Sequence, residues 1–233
     1  MLEIRSVTVQ FGGVRPLEDV SFTVAPGVSG LVGPNGAGKT TMLNVLSGFV
    51  VPVAGSVAVG GERLDGISPH RRARWGLRRT FQQEQLVLTL TARDNVQLAV
   101  ENIGAPRGDV QRVLDTVGLG GVHRPAAQLS MLERRLLELA KAMVGRPRLV
   151  LLDEPGAGLA EADAATLVPL INGLAAAEDT VVLLVDHDME LVQNVCTQLA
   201  VLDFGRLIAD GPTPEVLVDP VVKRAYLGTE EVV

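Results

Sequence analysis

Gly33-Pro34-Asn35-Gly36-Ala37-Gly38-Lys39-Thr40-Thr41 matches G-x-x-x-x-G-K-[ST] at every fixed position. Gly33, Gly36 and Gly38 let the backbone turn tightly, so that successive N–H groups can point inward at phosphate oxygens. Lys39 adds a charge that can reach β- and γ-phosphates, and the Thr40 hydroxyl can ligand Mg²⁺. A helix starting near Gly38 would aim its positive end at the same anion. The flanks fit. Val28–Val32 reads as an apolar strand, and Met42, Leu43, Val45 and Leu46 follow at helical spacing. Strand, loop and helix together predict a chain that holds a nucleotide by its phosphates.

A second stretch completes the chemistry. Leu149-Val150-Leu151-Leu152-Asp153-Glu154-Pro155 is an apolar strand ending in two carboxylates, and a strand end is where an open α/β sheet meets its ligands. Asp153 can hold Mg²⁺, and Glu154 can orient and polarise an attacking water. His187, in Val-Asp-His-Asp-Met, ends the next apolar strand, Thr180–Val185. It is expected at the same sheet edge, with Asp188 as cap of the following helix.

Composition excludes several classes. The 233 residues suffice for one large domain. No apolar run approaches the ~20 residues of a membrane span, and the N-terminus lacks the features of an export signal, so a cytoplasmic chain is expected. A single cysteine, Cys196, leaves no internal disulfide or cysteine metal cluster and reads as core packing. A net charge of −6 argues against a general nucleic-acid binder. The local cluster Arg71, Arg72, Arg74, Arg78, Arg79 reads as a solvated helix face followed by a strand start.

The order of elements predicts an α/β fold: a P-loop NTPase core with a parallel sheet, an N-terminal antiparallel β subdomain and an inserted helical subdomain. Leu2–Val9 and Leu17–Val24 alternate like paired strands around a turn at Gly12, Gly13 and Pro16. Short strands are expected at 56–59 and 77–81. Residues about 82–147 read as helical, at 94–101, 110–117 and 132–144. The α/β texture then resumes with a helix at 160–174, despite Pro169, and another at 189–195. A hairpin around Phe204-Gly205 and closing helices at 214–218 and 221–227 complete it. The expected organisation is one domain over 2–228, with its core in 2–81 and 148–228, and a tail at 229–233.

In combination these motifs resemble the ATP-hydrolysing subunit of an ABC transporter, over about Leu2 to Gly228. The resemblance makes 33–41 the Walker A loop and 149–154 Walker B with its catalytic glutamate. It implies that Phe11 stacks on adenine. It further implies that Gln82, in Arg79-Thr80-Phe81-Gln82, touches Mg²⁺ and links the site to a permease, and that His187 contacts the γ-phosphate. Thr91-x-x-Asp94-Asn95-Val96, Asp186-His187-Asp188-Met189 and Arg224-Ala225-Tyr226-Leu227-Gly228 narrow it further. They look like importers of branched-chain, hydrophobic amino acids, with urea/amide importers and a lipopolysaccharide-export ATPase as close cousins. ATP and Mg²⁺ are the implied cofactors. The implied partners are a second ATPase subunit, two membrane permeases and, indirectly, an external solute-binding protein, with no nucleic acid. The implied place is the inner face of the cell membrane, held through the permease. Leu86, Val87, Leu88 and Leu90 are the apolar residues that would meet a permease.

One segment departs from the family. Where the resemblance expects Leu-Ser-Gly-Gly-Gln, the chain has Leu129-Ser130-Met131-Leu132-Glu133. In the family this segment reaches across a dimer to the ATP of the opposite subunit. Leu132 would crowd an approach that glycine permits, and Glu133 would bring a negative charge near a polyphosphate unless it points away. Intact Walker motifs, Gln82 and His187 beside a degraded signature imply one half of an asymmetric heterodimer; signature drift that is simply tolerated is the plain alternative. Readings outside transport, a soluble ABC ATPase or a regulator that no longer turns over, fit less of the chain, which has one ATPase module and a short helical insert.

Overall fold

A computed structural model describes residues 1–176 and 180–227. The expected tail at 229–233 lies outside the described residues, as does Gly228.

Two sheets share the chain. In the larger, β6 (Leu77–Arg79), β7 (Leu149–Asp153), β8 (Val181–Val185), β3 (Gly27–Val32) and β9 (Gln198–Asp203) run parallel in that spatial order, and β10 (Arg206–Pro212) closes one edge antiparallel. Central strands of such a sheet are covered on both faces and read as unbroken apolar runs, as β7 and β8 do. Their alternation divides two cores. Leu149, Leu151, Val181 and Leu183 join the core that holds Met42, Leu43 and Leu46 of α1 (Lys39–Ser47). Val150, Leu152, Val182 and Leu184 join the other, as a period of two requires.

The smaller sheet is antiparallel, in the order β2-β1-β4-β5: β2 (Val14–Val24), β1 (Leu2–Phe11), β4 (Ala54–Val59) and β5 (Glu62–Arg63). It packs on the α1 side. Helix α2 (Pro69–Trp75) leads into β6. Between β6 and β7 lie α3 (Ala92–Ile103), α4 (Asp109–Thr116) and α5 (Met131–Ala142), whose apolar faces join the second core. The chain finishes through α6 (Glu161–Ala165), α7 (Leu167–Ala175), α8 (Met189–Val195), α9 (Thr213–Val218) and α10 (Pro220–Leu227). Among the described residues no helix is long and apolar enough to cross a membrane.

Four expectations need correcting. The single helix at 160–174 is two helices that meet at Thr166, whose hydroxyl donates to Asp163 O at 2.6 Å. Pro169 then falls in the first turn of α7, where its missing N–H is not needed. The strand expected at 77–81 stops at Arg79, and Pro16 lies inside β2 rather than in the turn. The arginine cluster is a solvated face only in part: Arg71 and Arg74 are exposed, but Arg72 is buried and the Arg79 side chain is shielded. Buried Arg72 donates to four carbonyls, of Ile67, Val45, Leu46 and Leu64, at 2.6–2.9 Å. A cation at the last carbonyls of α1 satisfies groups the helix leaves unpaired and answers its negative end.

Candidate functional site

The Gly33–Thr41 loop lies between β3 and α1, as the motif demands. Gly38 is the residue before the helix, at φ 108°; no side chain caps this end and no acidic residue lies in its first turn. A Cβ at Gly38 would sit 2.5 Å from Pro16 O, and one at Gly33 would sit 2.0 Å from Leu202 O. Both glycines are therefore required by close backbone approach as well as by φ. Ala37 O accepts the Gly205 N–H at 3.0 Å, which bolts the loop to the β9–β10 turn. Lys39 folds over the loop, its Nζ donating to Gly33 O at 2.5 Å and Pro34 O at 2.9 Å. Burial pulls its ammonium below the ordinary lysine range, opposed by Glu154 and Asp153. Those carboxylates are thus electrostatic neighbours of the loop. Thr40 is exposed.

Asp153 ends β7 and Glu154 follows it. Glu154 has φ +49°, unusual for a residue with a side chain, and its N–H donates to Val185 O at 2.7 Å. Such strain of ~1–3 kcal/mol persists where neighbours over-determine the backbone. The Gln82 amide Nε2 donates to Glu154 Oε2 at 3.0 Å. His187 Nδ1 lies 3.9 Å from the same oxygen and 3.7 Å from Asp186 Oδ1. Lys39, Asp153, Glu154, Gln82 and His187 therefore converge at the carboxyl end of the parallel sheet. Asp188 caps α8, accepting the N–H groups of Glu190 and Leu191.

Other expected residues stand apart. Phe11 is 54% exposed at the tip of the β1–β2 hairpin, and among the described residues no hydrogen bond or ring contact joins it to the loop. Ser130, Met131, Leu132 and Glu133 open α5. They make no hydrogen bond to Lys39, Asp153 or Glu154 among the described residues. The link is indirect: Arg135 of α5 donates to Ala157 O at 3.2 Å, just past Glu154.

Reading the sequence missed three groups. Arg79 pairs with Asp153 at 3.0 Å, their side chains only 5% and 6% exposed. It also donates to Asn44 Oδ1 at 2.8 Å and Ser47 Oγ at 3.1 Å, and lies over the Phe81 ring. Burial raises the Asp153 carboxyl; Arg79 opposes that and keeps a charged partner in place. The one available signal was its position just upstream of Gln82. Buried Asp186 accepts N–H groups from His187, Asp188 and Gly156 at 2.8, 3.0 and 3.4 Å, tying the histidine loop to the turn after Glu154. Tyr226, on α10, is held beside the Gly33 backbone, so the C-terminal helix touches the first glycine of the loop. Cys196 is buried and its thiol is pushed up to about 12 by burial, which makes it inert packing.

Mg²⁺ fits these donors. Arg79 occupies Asp153 Oδ2. The other Asp153 oxygen, the Thr40 hydroxyl and the Gln82 amide oxygen are hard oxygen donors of the kind Mg²⁺ takes. Among the described residues no group of three or more His, Cys, Asp or Glu is placed for a metal. An ion that arrives with phosphates needs only one or two protein oxygens.

The ABC transporter family model matches residues 17–157. The chain belongs to the ABC transporter family. It is an ATP-binding and ATP-hydrolysing subunit. Residues 206–232 match a model described as "Branched-chain amino acid ATP-binding cassette transporter". The chain is 34% identical to the high-affinity branched-chain amino acid transport ATP-binding protein BraF of Pseudomonas aeruginosa, covering 98% of each. It is 32% identical to the corresponding protein LivG of Escherichia coli, again over 98% of each. Among solved structures it is similar to an ATP-binding cassette of an ABC transporter in its ADP conformation, at TM-score 0.88 and 28% identity over 98% of both chains. A nucleotide-free cassette gives TM-score 0.87 at 27% identity, over 97% of this chain and 98% of that one.

Proposed function

We infer that this subunit powers the import of branched-chain or other hydrophobic amino acids, as one of two unlike ATPase subunits on the inner face of the membrane beneath two permeases. The convergence of Lys39, Asp153, Glu154, Gln82 and His187 at one sheet edge carries the catalytic reading. The similarity to BraF and LivG over whole chains supports the solute class, which an external binding protein and the permeases would select. A urea/amide importer of the same branch is the second reading.

In the reaction, water attacks the γ-phosphate in line. Lys39 exchanges its bonds to Gly33 O and Pro34 O for phosphate oxygens, and the N–H groups of residues 35–41 surround them. Phe11 meets the adenine. Glu154 orients the water, Gln82 positions Glu154, and His187 supports the transferring group. Thr40, Asp153 and Gln82 would hold Mg²⁺, which would supply neutralisation of the phosphate charge. Preorganised electrostatics do most of this work. Val87 and Leu88 are 44% and 46% exposed, and exposed Phe49 sits 6.2 Å from Phe81 beside Gln82. These apolar side chains suit a permease's cytoplasmic segment.

Two measurements test this. Deleting the gene should abolish high-affinity uptake of labelled leucine, isoleucine and valine; loss of urea uptake with leucine uptake intact would transfer the assignment to the second reading. In the assembled ATPase, Glu154→Gln should lower turnover by about 10²–10⁴-fold while nucleotide still binds. Turnover at the parent rate would remove Glu154 from its role.

A further inference from the structure

Between β6 and α3 the chain runs through residues 80–91 without a helix or strand of its own. Gln82 lies in this stretch, so its backbone must be fixed by groups outside any helix or sheet ladder. Thr80 anchors one side: its N–H donates to Leu151 O at 2.9 Å, and its hydroxyl accepts the Asp153 N–H at 3.1 Å. The anchors on the other side come from α5. Glu138 Oε1 accepts the Gln85 N–H at 2.9 Å, and Lys141 Nζ donates to Gln85 O. Residues three apart share a helix face, so one face of α5 holds both backbone groups of a single residue. The same helix also reaches the far flank of Glu154. Buried Arg135 pairs with Glu138 Oε2 at 3.3 Å and donates to Ala157 O at 3.2 Å.

We propose that Glu138 and Lys141 are positioning residues of the hydrolytic site: by gripping Gln85 they set the Gln82 amide on Glu154. The proposal rests on the roles inferred above for Gln82 and Glu154, and it names what holds them in register. Gln82 and Gln85 are three residues apart, a reach of at most ~11 Å of chain. Slack at Gln85 therefore passes to the 3.0 Å bond between Gln82 and Glu154. Stability is a poor account of this cluster. Burial raises the Glu138 carboxyl, opposed by the Gln85 N–H, Arg135 and Lys141. A buried ion pair is often no more stable than apolar side chains of the same volume. What these charges supply is direction. Glu138 and Lys141 end on the backbone of the segment that carries Gln82, and Arg135 ends on the backbone just past Glu154.

The test is a double-mutant cycle in the assembled ATPase, with kcat and KM for ATP read separately. Lys141→Met keeps an unbranched apolar stem and removes the bond to Gln85 O, so it carries the test; Glu138→Ala would leave Arg135 and the Gln85 N–H unpaired in the interior. Lys141→Met should lower kcat by about tenfold or more, short of the ~10²-fold that a 1 Å misplacement can cost. KM for ATP and the affinity for a fluorescent ATP analogue should stay near the parent values, because the Lys39 loop is untouched. Lys141→Arg keeps a cationic donor and should recover most of the rate. In a Gln82→Ala background Lys141→Met should cost nothing further, since its effect runs through Gln82. If Gln82→Ala turns over at the parent rate, the role of Gln82 fails and the proposal falls with it. If Gln82→Ala is slow but Lys141→Met keeps the parent kcat, whatever its melting temperature, Lys141 is structural and the proposal alone is overturned. Losses that multiply in the double variant overturn it as well, because Lys141 would then act by another route.

Discussion

Two helices of this protein begin at sites the family uses for phosphate, and they begin in opposite ways. At α1, Gly38 offers no side-chain cap and no acidic residue lies in the first turn. At α5, Ser130 and Glu133 form a complete capping box with Arg124 behind it. Every helix leaves N–H groups unpaired at its start. A helix that binds an external anion must keep some of them free, and one that satisfies them internally gains stability but offers less. The contrast teaches that one chain can leave the N–H groups of one helix start without a side-chain cap and satisfy those of another from within.

Three substitutions would break or sharpen that contrast. The largest effect is expected at the charge balance beside the open end. Arg79→Met leaves Asp153 buried without its partner, and losing one member of a buried pair costs ~3–5 kcal/mol. Urea denaturation measures this; a change under about 1 kcal/mol would mean that Asp153 is solvated or rescued by Lys39. Gly38→Ala comes next. Its Cβ would lie 2.5 Å from Pro16 O and 2.8 Å from Leu17 Cδ2, at a φ of 108°. The strain is ~1–3 kcal/mol, and nucleotide affinity, read with a fluorescent ATP analogue, should fall as the loop distorts. Unchanged affinity would show that the loop tolerates the shift. Ser130→Ala is the smallest, removing one cap at a cost of ~1 kcal/mol. It should lower the melting temperature slightly and leave the isolated subunit's ATP affinity unchanged. A fall in that affinity would show that the two helix ends communicate within one chain.

The Walker loop was legible because its chemistry is local. Gly33 to Thr41 must be contiguous to wrap one phosphate chain, so spacing alone declared it. Asp153 and Glu154 were legible because an apolar strand that ends in carboxylates has few other uses. Arg79, Arg124 and Asp186 were not, because each acts on a group brought near by the fold. Arg79 looked like part of a surface cluster until β6 and β7 set it beside Asp153. Arg72 looked solvated until the end of α1 arrived above it.

The amino-acid sequence alone determined the class of this protein: a nucleotide-binding α/β chain with the motifs of an ABC ATPase and one altered signature. Apolar periodicity and the contiguous phosphate loop are local properties that need no tertiary partner to be read. Only the tertiary structure decided where the charge of Glu133 points. The sequence placed that carboxylate in the altered signature segment. The fold turned it back onto Ser130 and set Arg124 against it, because a carboxylate at a helix start is most stable where unpaired N–H groups and a guanidinium can both reach it.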